Sequence, residues 1–482
     1  MKVTFLIPPV LDGTAAVDRC FGCNYSIYFL PLLPALSMAT VLKSDIADVS
    51  IIDFPAHKKT KEDFMEFIRK DNSDFYVFYT VFLCQNTDRI ARQLIRDTGR
   101  KAYFIFCGPQ PTLSSEAFLD KEDTLAIRGE PDFAVKEVIA ALNSGDGISG
   151  IKGISYVLDG KIVHNQTADF IPDLDLLPVP ERSLLDHTPY FNPKLRLMPH
   201  TALSASRGCY GRCWYCVPGS LAYAREMNYK QEHGRKPAAR VNSSGRVIEE
   251  FQDIARRGFK SVSVIDDEFL WGEDRTLEIC AGIKDLKLEW SCLARPDKIT
   301  EASAKAMSEA GCSYVDMGTE SFDQEILDAV RKDMSPEDTR RAIKILKKYG
   351  IHVELNILFG ATPRETPATI KNTLAELKKL EVDYVLFGIA NPFPGTDFYQ
   401  AAKKEGWMVY GDYVPVDPSK TAIISYPHLS KRQLERLVSY AYFSFYFDPR
   451  YMFRQLLSVK DFNDFKNKVK TALKFIKRNF LD

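Results

Sequence analysis

Ala202-Leu-Ser-Ala-Ser-Arg207-Gly-Cys-Tyr-Gly-Arg-Cys-Trp-Tyr-Cys216 is the stretch on which the reading of this chain turns. Ala202 to Ser206 reads as a short buried strand, and just beyond it Cys209, Cys213 and Cys216 stand in a C-x3-C-x2-C loop. Three thiolates so close can hold three corners of a cubane iron–sulfur cluster and leave the fourth iron open to an outside ligand. Zinc would want a fourth donor nearby, but none of the seven histidines lies in the loop and the next cysteine is Cys280. Arg207 and Arg212 favour the thiolate form, and Gly208 and Gly211 let the backbone wrap tightly.

Downstream the loop is followed by Val262–Ile265, Glu289–Leu293, Tyr314–Met317, Val353–Ile357 and Tyr384–Phe387, each separated by a helical pattern. With the opening strand this predicts a partial (β/α)6 barrel whose site lies at the C-terminal strand ends. Upstream, the runs Val3–Pro9, Val49–Asp53, Asp74–Thr80 and Ala102–Gly108 are continuously apolar and alternate with helical stretches, as in a doubly wound parallel sheet covered on both faces. Its ligand edge would carry Pro8-Pro9, Thr80-Val81-Phe82 and Gly108-Pro109. The expected division is an N-terminal α/β domain over 1–143, a connector over 144–198 with a hairpin turning on Asp159-Gly160, the barrel over 199–400, and a helical region over 401–482. The uncharged segment Cys20 to Leu42 is near spanning length, but Pro31 and Pro34 favour a loop followed by the buried first helix of the α/β domain.

Composition narrows the function classes. The chain has 482 residues, 45% of them apolar and 27% charged, with 64 basic against 64 acidic side chains. This is globular usage, and zero net charge removes the electrostatic case for nucleic acid as a partner. Ten cysteines in so long a chain are no secreted disulfide scaffold, and the N-terminus lacks signal-peptide character, which together point to a reducing cytoplasm.

The loop, with Tyr215 as its aromatic, resembles the signature of the radical S-adenosylmethionine (SAM) superfamily. Asp266-Asp-Glu-Phe269, Ala294-Arg-Pro-Asp297, Gly318-Thr-Glu-Ser321, Leu358-Phe-Gly360 with Pro363-Arg-Glu-Thr366, and Asn391 to Thr396 look like that superfamily's strand ends. The resemblance implies a 4Fe-4S cluster on Cys209, Cys213 and Cys216, and SAM contacts from Tyr215, Glu268, Arg295 and Glu320. Taken singly, each acidic residue reads equally as a barrel-mouth salt bridge.

An α/β domain ahead of such a barrel is similar to the cobalamin-binding-domain subfamily, which includes cobalamin-dependent methyltransferases, the anaerobic magnesium-protoporphyrin ester cyclase and hopanoid-modifying enzymes. Arg128-Gly-Glu-Pro131 and Ile171 to Pro180 support that likeness. The D-x-H-x-x-G motif that lends a histidine to cobalt is absent, since Asp53-Phe-Pro-Ala-His57 has the wrong spacing. Cobalamin therefore stands beside a vestigial, substrate-gating role for the domain. Cys20 and Cys23 read as structural thiols, with an auxiliary metal or redox pair as the alternative.

The resemblance implies an enzyme that cleaves SAM to a 5'-deoxyadenosyl radical and functionalises an unactivated carbon. Cobalamin-dependent methyl transfer leads, ahead of radical cyclisation, coupling or rearrangement of a lipid-like or tetrapyrrole substrate. Non-enzymatic sensing and methylthiolation are the other classes. Implied partners are a small-molecule substrate and a reduced flavodoxin or ferredoxin-type electron donor. The aromatic and basic C-terminal stretch reads either as a helical cap on the barrel or as a peripheral membrane contact, and both can hold together.

Overall fold

Odd and even positions of the first strands bury against different layers, and this alternation builds the N-terminal sheet. Strands β1 (Lys2–Ile7), β2 (Asp48–Asp53), β3 (Phe75–Tyr79), β4 (Tyr103–Cys107) and β5 (Thr124–Ile127) are parallel in the order β2-β1-β3-β4-β5. Phe5, Val77 and Ile105 pack with helices α1 (Leu33–Lys43) and α5 (Ala134–Ser144) on one face. Leu6, Phe78 and Phe106 pack with α2 (Lys61–Lys70) and α3 (Gln85–Arg96) on the other. The short α4 (Pro109–Leu113) follows β4. Stacked pairs Phe75–Tyr103, Tyr76–Phe104 and Phe78–Phe106, with centroids 5.4, 5.8 and 4.9 Å apart, lock the β3–β4 register.

The computed structural model describes residues 1–457 except 15, 17, 20–27, 47, 217–225, 227, 228, 231, 232 and 415. Cys20, Cys23 and the basic tail after residue 457 lie outside the described residues. The chain forms two units, one from Met1–Tyr210, Pro218–Leu293 and Glu309–Cys312, the other from Gly211–Val217, Ala294–Ser308 and Ser313 onward.

In the first unit the hairpin of β6 (Ile154–Leu158) and β7 (Lys161–His164) turns on Asp159 and Gly160, at φ 49° and 72°. It is not a detached connector: β6 pairs antiparallel with β5 and extends the N-terminal sheet. The same unit holds β8 (His200–Leu203), the ribbon strands β9 (Ser206–Arg207) and β10 (Arg240–Val241), then β11 (Ser261–Val264) and all but the last residue of β12 (Glu289–Ala294). β8, β11 and β12 are parallel neighbours, crossed by helices Ser244–Arg256 and Glu273–Ile283.

In the second unit, which takes all but the first residue of β13 (Cys312–Glu320), that strand, β14 (His352–Phe359) and β15 (Tyr384–Ile389) are again parallel. Their crossover helices start at capping boxes, Ser335 with Asp338 and Thr366 with Thr369, each followed by a proline at the first helical position. The aromatic C-terminal helix Lys431–Tyr446 caps this sheet, as one sequence reading expected. Tyr442 Oη donates to Phe387 O at 2.8 Å and accepts from Phe387 N at 3.2 Å, while Tyr446 does the same at Val385. Among the described residues no helix is long and apolar enough to cross a membrane.

Beyond β14, Gly360 turns at φ +74°, where a Cβ would meet Ile424 and Leu434 at 3.1 Å. Its N–H donates to buried Glu365, whose carboxyl is pushed up to about 8 by burial. A carboxyl neutral in the fold and ionised in the unfolded chain stabilises most below its unfolded pKa, and that contribution is lost as pH rises through the folded value. The thermal midpoint should therefore fall between pH 5 and pH 9, and Glu365→Gln should flatten part of that slope; an unchanged slope would remove Glu365 from the account.

Candidate functional site at the strand ends

The first unit fixes the entry to the cysteine loop with charge. β9 and β10 pair antiparallel with Arg207 directly opposite Arg240. Both reach the turn after β5: Arg207 is bidentate to Asp132 at 2.8 and 3.0 Å and bonds Glu130 at 3.0 Å, and Arg240 is bidentate to Glu130 at 2.8 and 2.9 Å. Burial pushes both carboxyls up, but the Arg207 guanidinium holds them below their usual range. Ser37 of α1 adds a 2.6 Å bond to Asp132.

Gly208 then turns at φ +87°, and a Cβ there would lie 2.5 Å from Glu226 Oε1. The carbonyl of Cys209 accepts from Lys236 Nζ at 2.8 Å. Glu268, fully buried after β11, accepts from Leu270 N at 2.6 Å and from Tyr210 Oη at 3.4 Å. Nearby Asp266 accepts from Ala205 N and Ser206 N, and burial raises it to about 7. A small crevice of about 60 Å³ opens beside this ribbon, lined by Leu33, Ser37, Ser204, Ser206, Arg207 and Asn242.

The second unit holds the rest of the loop through Trp214. Its N–H donates to Val330 O at 3.1 Å, its indole N–H to Ala361 O at 2.8 Å, and its carbonyl accepts from Phe398 N at 3.1 Å. Cys213 is half-buried and Cys216 exposed, with Cys216 N–H turning back to Cys213 O at 3.2 Å. Cys84, Cys107, Cys280, Cys292 and Cys312 are buried, as expected of core thiols. Only the loop thiols, Cys209 included, have access among the described cysteines, which suits that donor set to a soft metal cluster. Among the described residues no three His, Cys, Asp or Glu side chains are already gathered at metal-holding distance.

Three of the four expected SAM contacts converge in this unit. Tyr215 bonds Glu320 through its hydroxyl, and Glu320 pairs with Lys332 Nζ at 2.8 Å. Arg295 donates to Lys332 O at 2.7 Å and to Asp297 at 2.9 Å, so its guanidinium braces the turn that carries Lys332. That turn has Arg331 and Asp333 at φ 55° and 52°, and Glu320 itself sits at φ 65° on a β-bulge. Buried Lys332 escaped the sequence reading, because no local pattern marks a lysine in an Arg-Lys-Asp turn as the partner of a distant glutamate.

At the carboxyl edge of the N-terminal sheet, buried Arg19 is bidentate to Asp88 at 2.8 and 2.7 Å and donates to Tyr79 O at 2.8 Å. This is the β1/β3 switch point, where such sheets take ligands. Asp53 accepts from Tyr190 Oη at 2.7 Å, and His57 lies 3.6 Å from Asp186.

The family model described as the radical SAM superfamily matches residues 203–365. An uncharacterized methyltransferase of Pyrococcus horikoshii is 28% identical over 464 residues, covering 95% of each chain. The anaerobic magnesium-protoporphyrin IX monomethyl ester cyclase of Rubrivivax gelatinosus is 24% identical, covering 83% of this chain and 70% of its own. Among solved structures, the cobalamin-dependent SAM radical enzyme OxsB, with aqua-cobalamin and SAM bound, superposes at a TM-score of 0.68 over 99% of this chain and 71% of its own. The radical SAM methyltransferase TsrM from Kitasatospora setae, with cobalamin and a [4Fe-4S] cluster bound, reaches 0.63 over 91% and 82%. Both are 16% identical, a likeness of fold.

Lys332→Met leaves Glu320 without its cation in a largely buried site, a change that costs about 3–5 kcal/mol. Urea denaturation should show that loss, and adding Glu320→Gln should recover most of it; a double variant as unstable as the single would refute the pairing.

Proposed function

We propose, from the premise that residues 203–365 are a radical SAM domain, that this radical SAM enzyme methylates an unactivated carbon of a small molecule with the help of cobalamin. The spacing of Cys209, Cys213 and Cys216 carries the reading: three accessible thiols in a C-x3-C-x2-C run can hold three irons and leave the fourth for SAM. A cluster held there supplies the electron that cleaves SAM to methionine and a 5'-deoxyadenosyl radical, and cobalamin supplies a transferable methyl group.

The chain's own residues bind and insulate. Glu268 and Glu320 offer carboxylates to the SAM ammonium or ribose, Tyr215 lines the adenine side, and Arg295 sets the Lys332 turn beside Glu320. The sheet order β2-β1-β3-β4-β5 supports the 1–143 segment as the cobalamin-binding domain. No described side chain is assigned to cobalt; His57 lies 3.6 Å from Asp186. The likeness to the Rubrivivax cyclase supports radical cyclisation as the second reading.

An electron donor is required, and a reduced flavodoxin or ferredoxin in the cytoplasm is the proposed source. Exposed Met452, Phe453, Leu456 and Leu457 on helix Pro449–Leu457 support a peripheral membrane contact and a lipid-like substrate.

Cys209→Ala, Cys213→Ala and Cys216→Ala should each abolish reductive SAM cleavage and lower bound iron in anaerobically reconstituted protein. Deoxyadenosine formed by Cys213→Ala would sink the cluster assignment. Protein purified anaerobically with cobalamin supplied should hold about one cobalt per chain; an intact cluster without cobalt would move the reading to radical cyclisation.

A further inference from the structure

The buried charges around Arg207 do more than join two stretches of the first unit. Like charges directly opposite on paired strands repel, yet Arg207 and Arg240 face each other in the β9–β10 ribbon. Glu130 bridges them, and Asp132 takes both forks of Arg207, sharing Nη1 with Glu130. Side-chain exposures of 7% and 14% for the arginines and 2% and 1% for the acids mean that each charge depends on the others for solvation. Both acids lie in the turn after β5, at the ligand edge of the N-terminal sheet, and Arg207 precedes Cys209 by two residues.

We propose that Arg207 is a positioning residue: it ties the backbone turn that presents Cys209 to the Glu130–Asp132 turn of the N-terminal sheet, and so sets where the cluster and its SAM sit. This rests on the radical SAM reading. The planar guanidinium matters because its two parallel bonds to Asp132 fix direction as well as distance, which a lysine cannot do. Arg240 holds the same Glu130 and the carbonyl of Ile171 from the neighbouring strand, but carries no cysteine. It therefore separates positioning from adhesion.

The test compares wild type, Arg207→Lys and Arg240→Lys after anaerobic reconstitution, measuring iron per chain, thermal midpoint, the electron paramagnetic resonance spectrum of the reduced cluster with and without SAM, and SAM affinity. Arg207→Lys should still bind iron, since all three thiols remain, but should change the SAM-dependent spectrum and weaken SAM binding about 10-fold or more. Arg240→Lys should lower the midpoint while keeping the wild-type spectrum and SAM affinity. Equal loss of midpoint in both variants with wild-type spectra and affinity would overturn the proposal. Wild-type chain that takes up no iron would overturn the functional reading and the positioning role with it. If Arg207→Lys does not fold, Asp132→Asn, which leaves Glu130 on the guanidinium, should show the same spectral and affinity change, and a wild-type result there would overturn the proposal as well.

Discussion

Two arginines facing each other across a two-residue ribbon cannot be buried on their own. The ribbon that leads into the cysteine loop exists because Glu130 and Asp132, some 75 residues earlier in the chain, arrive to share the charge. A local element of the barrel side is thereby made conditional on the completed N-terminal sheet. The same logic explains Gly208, whose left-handed turn follows at once and whose missing Cβ leaves room for Glu226. Charge fixes the strand, and the glycine lets the chain leave it.

The second unit solves a similar problem at the end of one strand. Glu320, Lys332 and Tyr215 form a chain of contacts at the end of β13, supported from behind by Arg295. Three non-glycine residues in the left-handed region, Glu320, Arg331 and Asp333, sit within this network. Such backbone is held only where surrounding contacts over-determine it, and strain of this kind gathers at functional sites. Trp214 does the matching work for Cys213 and Cys216, using its ring, its indole N–H and both backbone groups.

The cysteine loop and most of the strands were legible because each is written in a short window. Apolar runs such as Phe75–Tyr79 are buried along their whole length, and the period of the helices shows in their spacing. What escaped was set by partners far away in sequence. β5 is only four residues long, and the Asp159-Gly160 hairpin looked like a connector because nothing local says that β6 pairs with β5. Glu268 and Glu320 were legible as strand-end acids, whereas Lys332 and the pairing of Arg207 with Arg240 required the fold to bring them together. Arg295 was found for its position, and the structure shows it spending bonds on the Lys332 and Asp333 carbonyls and on Asp297.

The tyrosines along β15 act as a molecular vernier. A phenol both donates and accepts, so Tyr442 and Tyr446 each occupy the N–H and the C=O of a single residue, Phe387 and Val385. Four helical residues advance about 6.0 Å and two strand residues about 6.6 Å, so the two rulers nearly coincide over one step and drift by about 0.6 Å with each further one. The helix ends at Tyr446, so the third hydroxyl on this edge, from Tyr451 to Asp383 O at 2.9 Å, comes from the next helix, where the count restarts. An edge closed in this way accepts one alignment of helix against strand, and leaves no run of vacant backbone groups on which another chain could lay a strand.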